Sequence, residues 1–246
     1  MTLSSPFCRV GRKKPIQFVI ERLAPKNYDT YVEPFVGSGD IYFKLNLSPT
    51  IKAVINDKDD MISNGFKILK SNPSIDNIDR FKSKSIEEIT NFVKASHSSP
   101  IDKLAKIIYL LCGTFDSTGK GKIYKSPNIE TKLRKIPDYA EYMKNTKVLN
   151  QDYKSVILNN NTSNAFFFID PPYEKSKDLY KDSIIDYEEL AIVLSKVKGK
   201  FILTLNDSPD IRRIFNKFKI RGITLEAEGN KGVGSSSRKE VIIKNY

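Results

Sequence analysis

Four apolar residues, Phe166-Phe167-Phe168-Ile169, run straight into Asp170-Pro171-Pro172-Tyr173. No other stretch limits the fold as tightly. A run this short and this apolar, halted by proline, reads as a buried strand of a parallel sheet rather than a helix. In open α/β sheets, ligands gather beyond the carboxyl ends of such strands. Asp170 and Tyr173 are therefore expected to project together into a crevice. Asp170 and the carbonyl of Pro171 are two adjacent acceptors, which suit an amino group with two N–H bonds. Tyr173 offers a flat face to a planar base, a stack worth roughly 1–3 kcal/mol. An Asp before Pro also serves as an ordinary turn cap. The complete Asp-Pro-Pro-Tyr, following a wholly apolar run, favours a holder for the exocyclic amine of a nucleobase.

The remaining sequence narrows the field. At 246 residues with 39% hydrophobic content, the chain suits one large domain or a core carrying an inserted lobe. Its 41 Lys+Arg against 29 Asp+Glu give a formal charge of +12, which points to a polyanionic partner or else to a generally basic surface. Two cysteines, Cys8 and Cys112, and a single histidine, His97, are too few for a Cys/His zinc site. His97 sits in the polar stretch Ser96–Pro100 and reads as a surface loop residue. There is no leader pattern and no apolar run near 18 residues, so a soluble, intracellular protein is expected.

Toward the amino end, Thr30-Tyr31-Val32-Glu33-Pro34-Phe35-Val36-Gly37-Ser38-Gly39-Asp40 reads as a short strand entering a glycine turn and then a helix. A second strand, Ala53–Asn56, ends on Asp57, 18 residues after Gly39. Strand, glycine turn, helix, strand and acid outline a nucleotide-binding crevice, with Asp57 placed to accept bonds from ribose hydroxyls. The third glycine of the dinucleotide fingerprint is missing, and Asp40 would repel a pyrophosphate at the helix start. An adenosine ligand without phosphate fits better.

From Met61 to about Val148 the pattern turns helical, over 61–69, 86–93 and 103–111. A glycine-rich basic stretch, Gly113–Tyr124, follows. Between Phe115 and Asn150 there are eight Lys/Arg and four Asp/Glu. Phe115, Lys120, Lys122, Tyr124 and Lys125 interleave aromatics with cations, as a nucleic-acid surface does. The α/β pattern resumes at Val148–Tyr153, read as a short element ending on Asp152. Next come the central strand, a helix over 187–197 entered through Asp186, a buried strand at 201–206 and a helix at 208–215. A hairpin of 222–227 with 241–246 completes the chain.

With these pieces in order, the chain resembles the Dam-like (alpha-class) family of DNA adenine methyltransferases. The shared order is a basic turn around Gly11 and Lys13, Phe35-x-Gly37-x-Gly39, the second-strand Asp57, a recognition lobe, Asp170-Pro171-Pro172-Tyr173, and a closing Arg238–Tyr246. The resemblance implies a Rossmann-like α/β methyltransferase sheet over residues 1–60 and 149–246, with a mainly helical target-recognition lobe inserted at 61–148. It implies S-adenosylmethionine as cofactor, with no metal. Arg9, Gly11, Lys13, Pro34, Phe35, Gly37, Ser38, Gly39, Asp57, Asp152, Tyr153 and Asp170 would line it. Arg9 stands where the family usually carries an aromatic, and a guanidinium plane also stacks. Phe115-Asp116 and Tyr124–Pro127 echo the family's lobe motifs loosely.

The reaction so implied is transfer of a methyl group to the exocyclic amine of an adenine flipped out of duplex DNA. Asp170 and the Pro171 carbonyl accept the amine hydrogens, Pro172 stiffens the turn, and Tyr173 stacks on the base. The cytosine version of this chemistry generally carries Ser in place of the first Asp, so Asp170 favours adenine. Three other readings stay open at this stage: the same chemistry on RNA, a non-catalytic nucleic-acid-binding protein of the same fold, and a nicotinamide oxidoreductase. A restriction endonuclease partner is likewise left open.

Overall fold

The computed structural model describes residues 3–9, 16–115, 117–172, 185–226 and 237–246. The chain divides into two compact units, one of Met1–Lys14, Val36–Thr50 and Asp57–Asn150, the other of Pro15–Phe35, Ile51–Asn56 and Gln151–Tyr246.

The second unit is built on a sheet. It contributes α1 (Gln17–Leu23), β1 (Thr30–Glu33), β2 (Lys52–Asn56), α8 (Tyr153–Asn159), β4 (Ala165–Ile169), α9 (Tyr187–Ser195), β5 (Lys200–Asn206), α10 (Pro209–Ile214), β6 (Lys219–Glu226) and β7 (Ser237–Lys244). Six of the seven strands of the mixed sheet lie here, in the order β2-β1-β4-β5-β7-β6. The first four are parallel, with Val32 opposite both Val54 and Phe167, and Phe167 opposite Phe201. β7 runs antiparallel to β5 and β6. All five residues of β4 are buried, as a strand covered on both faces must be. Successive strands leave β1 in one direction and β4 in the other. The gap between their carboxyl ends is thus the switch point where ligands bind in doubly wound sheets.

The expected hairpin is present but longer than its apolar core suggests, and its second strand is wedged between β5 and β6. Asn245 secures the end of the chain, its side chain accepting from Phe201 N at 3.0 Å and donating to Gly199 O at 2.8 Å. Helix α9 starts where Asp186 caps it, the carboxylate accepting from the N–H groups of Glu188 and Glu189.

The first unit is mainly helical: α2 (Asp40–Lys44), α3 (Asp60–Lys70), a 3₁₀ turn (Ile78–Phe81), α4 (Ile86–Lys94), α5 (Pro100–Gly113), α6 (Glu130–Leu133), α7 (Ile136–Tyr142) and β3 (Thr146–Leu149). Buried aromatics hold it together. Phe7 meets Phe66 edge-on at 5.0 Å, and Phe43 packs on Tyr139 at 5.3 Å. The caps are those the sequence provides: Asp59 for α3, a Ser85–Glu88 capping box for α4, and Ser99 with Pro100 for α5. Cys8 and Cys112, counted from the sequence only as too few for zinc, are bonded to each other across 104 residues. His97 is half-buried, stacked on Phe92 at 4.2 Å.

The stretch after β3 differs from expectation. β3 ends at Leu149, and Asp152 opens a helix instead of closing a strand: its carboxylate accepts from Lys154 N and caps α8. The helix is only seven residues long, too short for its periodicity to stand out before the polar loop that follows.

Candidate active site

In the first unit the functional residues gather around the glycine turn. Gly37 and Gly39 take left-handed backbone angles, φ +51° and +80°, and Gly39 is the N-cap residue of α2. A side chain at Gly39 would meet the ring of Phe66 at 2.9 Å, whereas one at Gly37 would meet nothing within 4 Å. Gly39 is therefore small for packing, and Gly37 for its backbone angle beside open space. The turn is latched by Asp57. Its Oδ2 accepts from Gly37 N at 2.8 Å, and its Oδ1 accepts from Asp59 N at 2.9 Å. Asp59 in turn receives Arg9 Nη1 at 2.7 Å. Burial pushes the Asp57 carboxyl above its ordinary value; the Arg9 guanidinium and the two N–H groups pull it back, and the Asp59 charge adds to the rise. Ser38 and Asp40 are buried.

In the second unit, Asp170 emerges half-buried from β4. Its Oδ1 accepts from the hydroxyl of Thr204 at 2.7 Å. Pro171 is buried, and the carbonyl of Pro172 accepts from Tyr187 Oη at 3.1 Å, which ties the turn to the start of α9. Past β1, the Phe35 ring lies 5.2 Å from that of Tyr153, tilted by 33°. The Tyr153 hydroxyl is buried. Burial first, and then the Glu189, Asp152 and Asp186 carboxylates, push this phenol up from its ordinary value.

Two residues that sequence reasoning passed over organise this unit. Asn56, almost wholly buried, donates from Nδ2 to Pro34 O at 2.9 Å and to Gln151 O at 3.1 Å, and accepts at Oδ1 from Gln151 N at 2.8 Å. One amide thus fixes the backbone before Phe35 to the backbone before Asp152. Thr204 is the other. The available signals were a single amide closing an apolar strand and a single hydroxyl within another.

The structure brings Arg9, Gly37, Ser38, Gly39 and Asp57 into one neighbourhood. Pro34, Phe35, Asp152, Tyr153, Asp170, Pro171 and Pro172 all flank elements of the other unit. Gly11, Lys13, Asp116 and Tyr173 lie outside the described residues. Next to the bridge between Thr114 and Ile123 in sequence, Phe115 and Tyr124 are exposed and meet edge-on at 5.8 Å, with Lys125 Nζ 5.4 Å from the Tyr124 ring.

The family model of the D12 class N6 adenine-specific DNA methyltransferases matches residues 10–225. The chain belongs to that family. Its members methylate adenine in DNA, and the resemblance read from the sequence is borne out. A type II methyltransferase, M1.LlaDCHI of Lactococcus lactis subsp. cremoris, is 27% identical over 277 residues, spanning 98% of this chain and 95% of its own. Among solved structures, a precorrin-6y C5,15-methyltransferase from Geobacter metallireducens overlaps at a TM-score of 0.49 and 10% identity, covering 98% of this chain and 93% of its own. TrmN from Thermus thermophilus overlaps at 0.44 and 12% identity, covering 94% of this chain and 49% of its own. Among the described residues of this D12-class enzyme, no group of acidic, histidine or cysteine side chains could hold a metal ion. No helix there is long and apolar enough to cross a membrane.

Proposed function

We propose that this D12-class enzyme transfers the methyl group of S-adenosylmethionine to the exocyclic amine of an adenine swung out of duplex DNA, with Asp170 as the principal acceptor of the amine hydrogens. The observation that carries the reading is the placement of Asp170. It is a carboxylate at the end of a fully buried parallel strand, at the switch point of the sheet, accepting from the hydroxyl of Thr204. A carboxylate accepts at about four lone-pair positions, which suits Asp170 to receive the N–H groups of an amine. Asp170 and the Pro171 carbonyl draw the N–H groups and turn the nitrogen lone pair out of ring conjugation, so that alignment and charge-directed hydrogen bonding lower the barrier. Tyr173 stacks on the extruded base.

The residues present fit the cofactor. In the first unit Gly37 borders open space and the Asp57 carboxylate lies beside two main-chain N–H groups; in the second, Phe35 with Tyr153 offers aromatic faces suited to an adenine ring. Arg9, Gly11 and Lys13 complete the methionine end, with Pro34, Ser38, Gly39 and Asp152 shaping the remainder. Bound there, S-adenosylmethionine supplies an electrophilic methyl on a sulfonium.

The lobe at 61–148 recognises the target, Phe115 and Tyr124 stacking on bases while Lys120, Lys122 and Lys125 neutralise phosphates. Two large aromatics left exposed, one of them 87% accessible, support this role. The kinship with a type II methyltransferase supports modification paired with a restriction endonuclease, at work inside the cell.

Incubation with labelled cofactor and equal masses of duplex DNA and RNA tests the reading. Label is expected in DNA as N6-methyladenine; label confined to RNA, or found on cytosine, overturns it. Phe115→Ala is expected to weaken DNA binding by about 1–3 kcal/mol in a fluorescence titration and to leave cofactor affinity intact.

A further inference from the structure

We propose that Thr204 is a positioning residue for methyl transfer, its hydroxyl setting the orientation of the Asp170 carboxylate. The inference rests on the reading of Asp170 as the amine's acceptor and adds a residue on a different strand to that machinery.

Thr204 is completely buried, in a strand whose other interior positions, Phe201, Ile202, Leu203 and Leu205, are all apolar. Valine has the same shape and suits a buried strand at least as well. A hydroxyl placed there is costly unless it is hydrogen-bonded. The bond it makes runs to a carboxylate at 2.7 Å, the short, charge-assisted kind, stronger than a neutral one. The register accounts for the meeting. Leu203 lies opposite Ile169 on the parallel neighbour, so the next residue of each strand is Thr204 on one and Asp170 on the other.

The effect on chemistry follows from torsional freedom. The last torsion of an aspartate is broad and roughly two-fold, so a carboxylate at a strand end can swing its oxygens away from a ligand. Thr204 carries one proton, and giving it to Oδ1 orients the carboxylate plane. Reactions governed by alignment lose about a hundredfold in rate for a misplacement near 1 Å. Fixing this plane before the base arrives therefore speeds transfer without adding to cofactor affinity.

Three variants of the full-length protein test the inference: Thr204→Val, Thr204→Ala and Thr204→Ser. Each is measured for single-turnover transfer at saturating cofactor and DNA, for cofactor affinity, and for thermal stability. Thr204→Val and Thr204→Ala are expected to slow transfer by about tenfold to a hundredfold, with cofactor affinity unchanged. Thr204→Ser, which keeps the hydroxyl, is expected to restore most of the rate. The inference is overturned if a folded variant without the hydroxyl transfers at the wild-type rate, if Ser is as slow as Val, or if the loss lies in cofactor affinity. Should Val alone fail to fold, the comparison of Ala with Ser decides. Asp170→Ala, run alongside, separates the two levels. Full activity there removes the acceptor reading itself, whereas an inactive Asp170→Ala beside a fast Thr204→Val removes only the role of Thr204.

Discussion

Asp57 and Asp170 both follow the last residue of a buried parallel strand, yet their surroundings differ in kind. Asp57 is spent on the backbone: one oxygen holds Gly37 N and the other Asp59 N. Asp170 is held by the side-chain hydroxyl of Thr204. A carboxylate that anchors main chain shapes a loop, and its loss deforms whatever the loop binds. A carboxylate met by a neighbouring strand's hydroxyl is fixed without being tied to the loop it follows. The same residue type at equivalent strand ends thus divides into a main-chain latch and, in the function proposed above, an acceptor for the amine.

The division predicts different failures. Asp170→Asn keeps the shape and one acceptor oxygen but loses the charge, and should slow single-turnover transfer by about 10²–10³-fold while cofactor affinity stays within a few-fold. A matching loss of cofactor affinity would erase the distinction. Asp57→Asn is expected to do the reverse. Its amide presents a donor to one of the two N–H groups, and an unmet buried donor costs about 1–3 kcal/mol. Cofactor affinity should fall about tenfold or more, stability should drop, and the rate at saturating cofactor should hold; equilibrium dialysis and thermal melts read these.

Acidity sharpens the contrast. Burial raises the Asp57 carboxyl above its ordinary 3.8. A group with a raised folded-state pKa favours the fold most while protonated. That contribution is complete below 3.8 and is lost as pH rises through the folded-state pKa. In the proposed site ribose hydroxyls donate to the ionised form, so cofactor affinity should run the other way and weaken as pH falls through that window. Asp57→Asn should flatten that dependence in a binding titration across pH.

A smaller effect concerns the first unit as a whole. Cys8–Cys112 closes a loop of about the length for which chain entropy gives at most about 4.7 kcal/mol, across 104 residues. Reduction, or Cys112→Ser, should lower the melting temperature by less than this figure implies. An unchanged melting temperature would show that packing of Phe7 against Phe66 holds the amino-terminal segment unaided.

How much of this could be read beforehand depended on whether the deciding interaction was local. The strand Phe166–Ile169, the turn of Gly37 and Gly39 and the cap Asp186 announce themselves through apolar runs, positive-φ residues and side chains that serve their own neighbours. Asn56, Thr204 and the Cys8–Cys112 bond act on partners 22 to 104 residues away, and nothing in their flanking sequence names those partners. The short helices at Glu130–Leu133, Ile136–Tyr142 and Tyr153–Asn159 were missed for another reason. Each spans two turns or fewer, and a 3.6-residue period needs more length than that to show.

The most direct measurement is made on Asp170→Ala with a duplex substrate and methyl-labelled cofactor, following label in DNA and cofactor affinity in one preparation. The account predicts near-normal cofactor binding and no N6-methyladenine above background. Adenine methylated at the wild-type rate would contradict it.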